Sequence, residues 1–238
     1  MSTVIRTPLA QEVTEALRRA IASGEWQVGE RIPAEPALVE RFSVSRGTLR
    51  EAIKALAHAG MLDVRRGDGT YVRTHSEIQG AVQQAYDRHT DEDVLQVRFA
   101  LDAQAARLSA SAADGSAVQE LRAVLAERRR AWDAQDIEKW IAADWEFHLA
   151  VARASGNALL VELYASFGDV FHGTKMAQRL HAGFDGCRAA GHDEVVEAIA
   201  AGDAEAAAAS TTANLTYCLS FTNGSGAGSG GGVRPYLR

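Results

Sequence analysis

Two pairs of side chains in this 238-residue chain stand one helical turn apart and could do chemistry. Arg46 and Arg50 would share one face of a helix that opens at Ser45. Guanidinium forks match the O6/N7 edge of guanine or two phosphate oxygens, and the first turns of a helix are where a major-groove helix meets base edges. Asp144 and His148 have the same spacing, so a carboxylate and an imidazole could chelate one ion that accepts mixed oxygen and nitrogen ligands. Each pair has a plainer alternative. Ser-Arg before a helix is often only a solvated helix end, and an Asp four residues ahead of a His is often a surface ion pair. The elements around each pair have to decide.

Around Arg46 the chain reads as a compact series of short elements. Ser45 can cap a helix through its hydroxyl, Leu49, Ala52, Ile53 and Leu56 recur at helical spacing, and Gly60 stops the run. Ser45, Arg46, Thr48 and Arg50 then face outward. Upstream, Pro8 starts a helix with Leu9, Val13, Leu17 and Ile21 as its stripe, Trp26 to Pro33 is an extended connector, and Ala34 to Phe42 is a second helix. Downstream, Met61 to Val64 and Thr70 to Val72 are β-like runs flanking Arg65-Arg66-Gly67-Asp68-Gly69, with Asp-Gly turn chemistry. Three helices followed by a glycine-tipped hairpin make a winged helix-turn-helix. Its basic tip lies where a wing can enter a minor groove or straddle phosphates, and this second basic feature favours the DNA reading of Arg46.

Residues 75–90 are polar and read as a linker or short connecting helix. From 91 to 222 every periodic segment is helical: Asp93 to Ala112, Ala117 to Ala134, Ile137 to Ala154, Ala158 to Lys175, His192 to Ala201 and Asp203 to about Phe221. Residues 223–238 form a Gly/Ser-rich tail with nothing to bury. The fold class is therefore mainly α, with residues 1–74 as the winged head and 91–222 as a helical bundle. Charge divides at the same place. The first 74 residues hold 11 Lys and Arg against 9 Asp and Glu, a net of +2, and the remainder carries −8 of the overall −6. That asymmetry suits a front that approaches phosphates. Cys187 and Cys218 form no CxxC, there is no N-terminal apolar leader, and no run is long enough to span a membrane. A soluble, cytoplasmic protein is expected.

With these elements placed, the front resembles the GntR family of bacterial transcriptional regulators. The resemblance rests on Ile21-x-x-Gly24, Gly29-x-x-Ile32-Pro33-x-Glu35, Val44-Ser45-Arg46-x-x-Leu49-Arg50-Glu51-Ala52, Leu56, Gly60 and Gly67-x-Gly69-Thr70-x-Val72. It implies DNA contacts from Ser45, Arg46, Thr48 and Arg50 on the recognition helix and from Arg66 and Gly67 on the wing. Pro36 and Gly47 depart from the usual pattern, which implies that one usual contact is absent. The rear is similar to the FCD ligand-binding domain of the FadR subfamily. The residues are Val97-Arg98-x-x-Leu101-Asp102, Asp144-x-x-Phe147-His148-x-x-Val151-x-x-Ala154-Ser155-Gly156-Asn157 and His192-x-x-Val195-x-x-Ala198-Ile199-x-x-Gly202-Asp203.

That second resemblance implies a divalent ion, zinc or similar, on Asp144, His148 and His192. Where the family usually supplies a fourth ligand this chain has Asn214, a neutral and weak donor. Either water or effector completes the sphere, or the pocket works without metal. Arg98 is a candidate partner for an effector carboxylate, with Asp102 as its restraint, and Asn214 and Tyr217 are further effector candidates. Tyr164, Phe171 and His172 could line the same pocket or simply pack. The expected protein is a homodimeric repressor that binds palindromic double-stranded operator DNA and answers to a small carboxylic acid. A metal-dependent hydrolase is the rival enzyme reading, but it lacks a general base beside the ion and leaves the winged helix unexplained. A purely architectural DNA-binding protein would have no effector.

Overall fold

In the computed structural model, residues 9–168 and 192–223 are described, apart from the side chains of residues 91 and 215–223. The amphipathic helix α1 (Leu9–Ala22) buries Val13, Leu17, Ala20 and Ile21. These pack with Leu38 of α2 (Glu35–Phe42) and with Leu49, Ala52, Ile53 and Leu56 of α3 (Arg46–His58) in one core. Between α2 and α3 the chain turns through Ser43 in the left-handed region, φ 52°. Ser45 caps α3, accepting from Thr48 N at 3.1 Å. Gly60, φ 79°, ends the run where expected.

The wing pairs β1 (Leu62–Arg65) with β2 (Gly69–Val72) antiparallel, in the register Leu62↔Val72 and Arg65↔Gly69. In that register the tight turn centres on Arg66-Gly67, two residues ahead of the Asp68-Gly69 step. Asp68 N donates to Arg65 O at 3.1 Å, and Gly67 takes the left-handed position at φ 78°. At Gly69 a Cβ would meet only the end of the exposed Arg31 side chain, which can swing aside. The connector is not free-standing either. Gly29 N donates to Val72 O, Val72 N to Glu30 O and Ile32 N to Thr70 O, so residues 29–32 line the second edge of the hairpin.

Residues 75–90 contain a helix, α4 (Glu77–Tyr86), within the same compact unit. A Cβ on Gly60 would meet Gly80 O at 2.8 Å, and one on Gly80 would meet Ala59 O at 2.4 Å. Two glycines thus let the backbone of α4 lie directly on the end of α3. Gln84 Nε2 donates to His58 O across this junction, and a His75 ring nitrogen lies 3.1 Å from Trp26 O.

The second unit holds α5 (Asp91–Ala112), α6 (Gly115–Asp133), α7 (Ile137–Ala154), α8 (Ala158–Ala165), α9 (His192–Ala200) and α10 (Ala204–Asn223). Asp114 and Asp136 cap α6 and α7 by accepting from backbone N–H groups of the first turn. Helix α6 packs on α7 and α5 on α10, while α9 touches α5, α6 and α10. Helix α8 stops at Ala165, short of the expected Lys175; residues 169–191 and the tail from 224 lie outside the described residues. Among the described residues no helix is long and apolar enough to cross a membrane.

Candidate nucleic-acid interface and metal centre

The expected DNA-facing residues sit at one end of α3 and at the wing tip. Ser45, Arg46, Arg50, Arg66 and Gly67 are exposed, and Thr48 is half-buried. Ser45 Oγ lies 2.9 Å from Thr48 Oγ1, so both hydroxyls are engaged in the cap. Arg50 is clamped: its Nε reaches Glu35 Oε1 at 2.9 Å and its Nη2 reaches Glu35 Oε2 at 2.9 Å. The fork-to-fork geometry fixes the side-chain direction and, mainly through this hydrogen bonding, holds the Glu35 carboxyl below its ordinary range. On the wing, the Arg65 guanidinium lies 4.1 Å from the Tyr71 ring centroid and bonds Asp63, and Tyr71 OH donates to Asp68. Arg65 thus stiffens the hairpin. A cleft lined by Arg31, Pro33, Glu35, Arg66, Gly67 and Thr70 runs beside the hairpin tip.

In the second unit one cluster of charged and ionisable groups is inside. Arg98, Asp102, Arg128, Asp144, His148 and His192 are all buried, an arrangement tolerable only with mutual pairing. Asp144 and His148 project from α7 as expected, and α9 brings His192 to them. His148 Nε2 and His192 Nε2 are 3.4 Å apart, His192 Nε2 is 3.6 Å from Asp144 Oδ1, and His148 Nε2 is 3.9 Å from Asp144 Oδ2. Ligands held at about 2.0–2.1 Å around a tetrahedral ion are separated by roughly 3.3 Å. The three residues are therefore placed to hold a divalent ion with little movement, and they are the described group that could do so.

A carboxylate from α5 completes the histidine's setting. Asp102 Oδ1 lies 3.1 Å from His148 Nδ1, the arrangement that fixes a ligating imidazole with its Nε2 lone pair outward. Burial would raise the Asp102 carboxyl, but the charges of His148 and Arg98 outweigh it and hold it below its ordinary range. Arg98 Nε donates to Tyr164 OH at 3.1 Å and lies 3.3 Å from Asp102 Oδ2. The expected restraint on Arg98 is thus present, and Asp102 serves His148 as well. Tyr164 is core: fully buried, stacked on Trp145 at 5.1 Å, its phenol pushed well above the ordinary value by burial.

Sequence reasoning missed Arg128. Its side chain is entirely buried, its Nε donates to Asp144 Oδ1 at 2.7 Å, and its guanidinium lies 4.9 Å from the Trp140 ring centroid. Burial opposes ionisation of Asp144, yet Arg128 and then the two histidines hold its carboxyl far below the usual range. Burial, followed by the Arg128 charge, pushes His192 well below an ordinary imidazole. One signal was available: Arg128 continues the α6 stripe of Val118, Leu121 and Leu125. Asn214 is half-buried on α10; the Tyr217 side chain, Phe171 and His172 lie outside the described residues.

Two family models match separate stretches of the chain. Residues 9–72 match the gntR family of bacterial regulatory proteins, and residues 93–216 match the FCD domain. A protein of Escherichia coli K12, provisionally named as an L-lactate dehydrogenase operon regulatory protein, is 31% identical over 90% of this chain and 86% of its own length. The Uxu operon transcriptional regulator of the same organism is 30% identical over 74% of this chain and 69% of its own. Among solved structures, Streptococcus agalactiae GntR superposes with a TM-score of 0.54 at 25% identity, covering 90% of this chain and 99% of that one. The chain therefore belongs to the gntR family of bacterial regulatory proteins, as a DNA-binding transcriptional regulator with an FCD domain.

Proposed function

We propose that this regulator is a cytoplasmic homodimer of the FadR subfamily that represses a metabolic operon and releases its operator when a small carboxylic acid binds the helical unit at a divalent ion. The observation that carries the reading is the convergence of Asp144, His148 and His192, with Asp102 on the far side of the His148 ring. The residues that would hold the ion are those three, and the ion would supply a Lewis-acidic anchor for a carboxylate. Asp102 keeps the His148 lone pair directed at the site, Arg98 balances Asp102, and the surrounding burial excludes water. The name of one relative refers to an L-lactate dehydrogenase operon, and lactate is a small hydroxy acid of the class proposed here.

At the DNA, Arg46 and Arg50 read bases from α3, Ser45 and Thr48 set the helix end, and Arg66 and Gly67 bring the wing to the backbone. Two-fold symmetry would present two such heads to a palindromic site. Footprinting of the DNA upstream of the chain's own gene, with a panel of small carboxylates and with or without EDTA, tests the whole reading. The expected result is a protected palindrome from which one acid shifts affinity by about 5–150-fold, the usual range of coupling between sites. Protection that no acid alters, with or without metal, would leave a DNA-binding protein without the proposed control.

A further inference from the structure

The buried cluster is already charge-balanced by protein groups. Asp102 and Asp144 carry the negative charges, Arg98 and Arg128 the positive ones, and all four are buried. With neutral imidazoles, a divalent ion would add positive charge to a balanced, poorly hydrated interior. Arg128 is the group most directly opposed to it. Its Nε holds Asp144 Oδ1 at 2.7 Å, and that same oxygen lies 3.6 Å from His192 Nε2, so guanidinium and ion would draw on one carboxylate.

Building on the metal-site reading above, we infer that Arg128 is a resident cation of this pocket that weakens divalent-ion binding and makes the ion exchangeable. The opposite sign is chemically reasonable and separates the two roles. A hydrogen bond to a ligating carboxylate usually positions it, and loss of such a partner typically weakens metal binding by about 10–100-fold.

The test uses the full chain stripped with EDTA and zinc as the metal, with affinity read by competition against a chromophoric chelator. Arg128→Gln keeps an N–H donor and removes the charge; Arg128→Lys keeps the charge. Zinc should bind the Gln variant at least about tenfold more tightly than wild type, reversing the usual effect of losing such a partner. The Lys variant should bind as wild type does, and the gain should vanish when His148→Ala is added to Arg128→Gln. A folded Gln variant with wild-type or weaker zinc affinity overturns the inference and leaves the metal site standing. If neither protein binds zinc up to about 1 mM, the metal-site reading falls and the inference falls with it. Should the Gln variant not fold, NMR of the wild-type Arg128 Nε–H, assigned through the Lys variant, decides. Saturating zinc should shift that resonance; an unmoved signal refutes competition for Asp144.

Discussion

Arg50 and Arg128 each donate through Nε to a carboxylate on another helix, Glu35 and Asp144, at 2.9 and 2.7 Å. Yet the Arg50 side chain is 60% exposed and that of Arg128 0%. In the first unit the charges sit on a shell over a separate apolar core of Leu17, Ile21, Leu38, Leu49 and Leu56. The second also carries exposed pairs, such as Arg129 with Asp193, but one cluster of ionisable groups, Arg98, Asp102, Arg128, Asp144, His148 and His192, lies within the helical packing. The difference decides what a substitution can do. An exposed pair contributes about 0–1 kcal/mol to stability, whereas breaking a buried pair by removing one partner costs about 3–5 kcal/mol. The proposed binding residues of the head can thus be changed without cost to folding, whereas those of the buried cluster cannot.

The largest effect expected is at Asp144. Asp144→Ala leaves the Arg128 guanidinium buried without its carboxylate and should cost about 3–5 kcal/mol in urea denaturation. A loss under about 1 kcal/mol would place this pair with the exposed ones. The pH dependence has a definite sign. Asp144 ionises far more readily folded than unfolded, so its contribution is complete above the ordinary carboxylate value of 3.8 and is lost as the pH falls below it. Wild type should therefore lose stability steeply on acidification below about pH 4, and Asp144→Asn should show a shallower acid limb. An identical limb in both proteins would assign acid unfolding to other carboxylates.

Next in size is Arg46→Ala, the head's counterpart. It should lower operator affinity by about 1–3 kcal/mol, the usual worth of a good arginine-to-base contact. The thermal midpoint should stay put, because Arg46 is exposed and contributes nothing to the core. A variant that binds as wild type, or one that melts early, would each break the separation of reading surface from core.

The same contrast explains what could be read from one sequence. The recognition helix was legible because its signals are local: a Ser45 cap, a stripe of Leu49, Ile53 and Leu56, and a Gly60 stop. Asp144 and His148 were legible because four residues make one turn. What remained hidden depends on which helices meet. Nothing in the polar stretch after His75 says that Gly80 will lie on Gly60, which requires knowing that two backbones approach. Arg128 belongs to the run Arg128-Arg129-Arg130, which resembles a solvated face. Arg129 and Arg130 are indeed exposed, paired with Asp193 and Glu127. Only the place of Arg128 on the Leu121 and Leu125 stripe marks it as different, and even that does not point to Asp144. Asp102 was tied to Arg98 by spacing on α5, while its bond to His148 needed the packing of α5 on α7.

The smallest effect tests whether the exposed pair at Arg50 is inert. Glu35 places a carboxylate beside Arg50, an arginine proposed to face DNA, where it would oppose phosphate binding, but its bidentate hold also fixes the direction of Arg50. In water such a pair contributes little to folding, so Glu35→Gln should change stability by less than about 1 kcal/mol. On DNA the two consequences separate. Removing one negative charge should strengthen binding to random sequence, an electrostatic and salt-dependent gain. Releasing Arg50 should cost ordering entropy when it meets its base, so operator affinity should gain less than random affinity does. The ratio of operator to random binding should therefore fall by a few-fold, under about 1 kcal/mol. Parallel titrations of operator and scrambled duplex at one salt concentration measure that ratio. A ratio that stays constant while both affinities rise would make Glu35 only a charge; a ratio that falls makes the pair part of the reading surface.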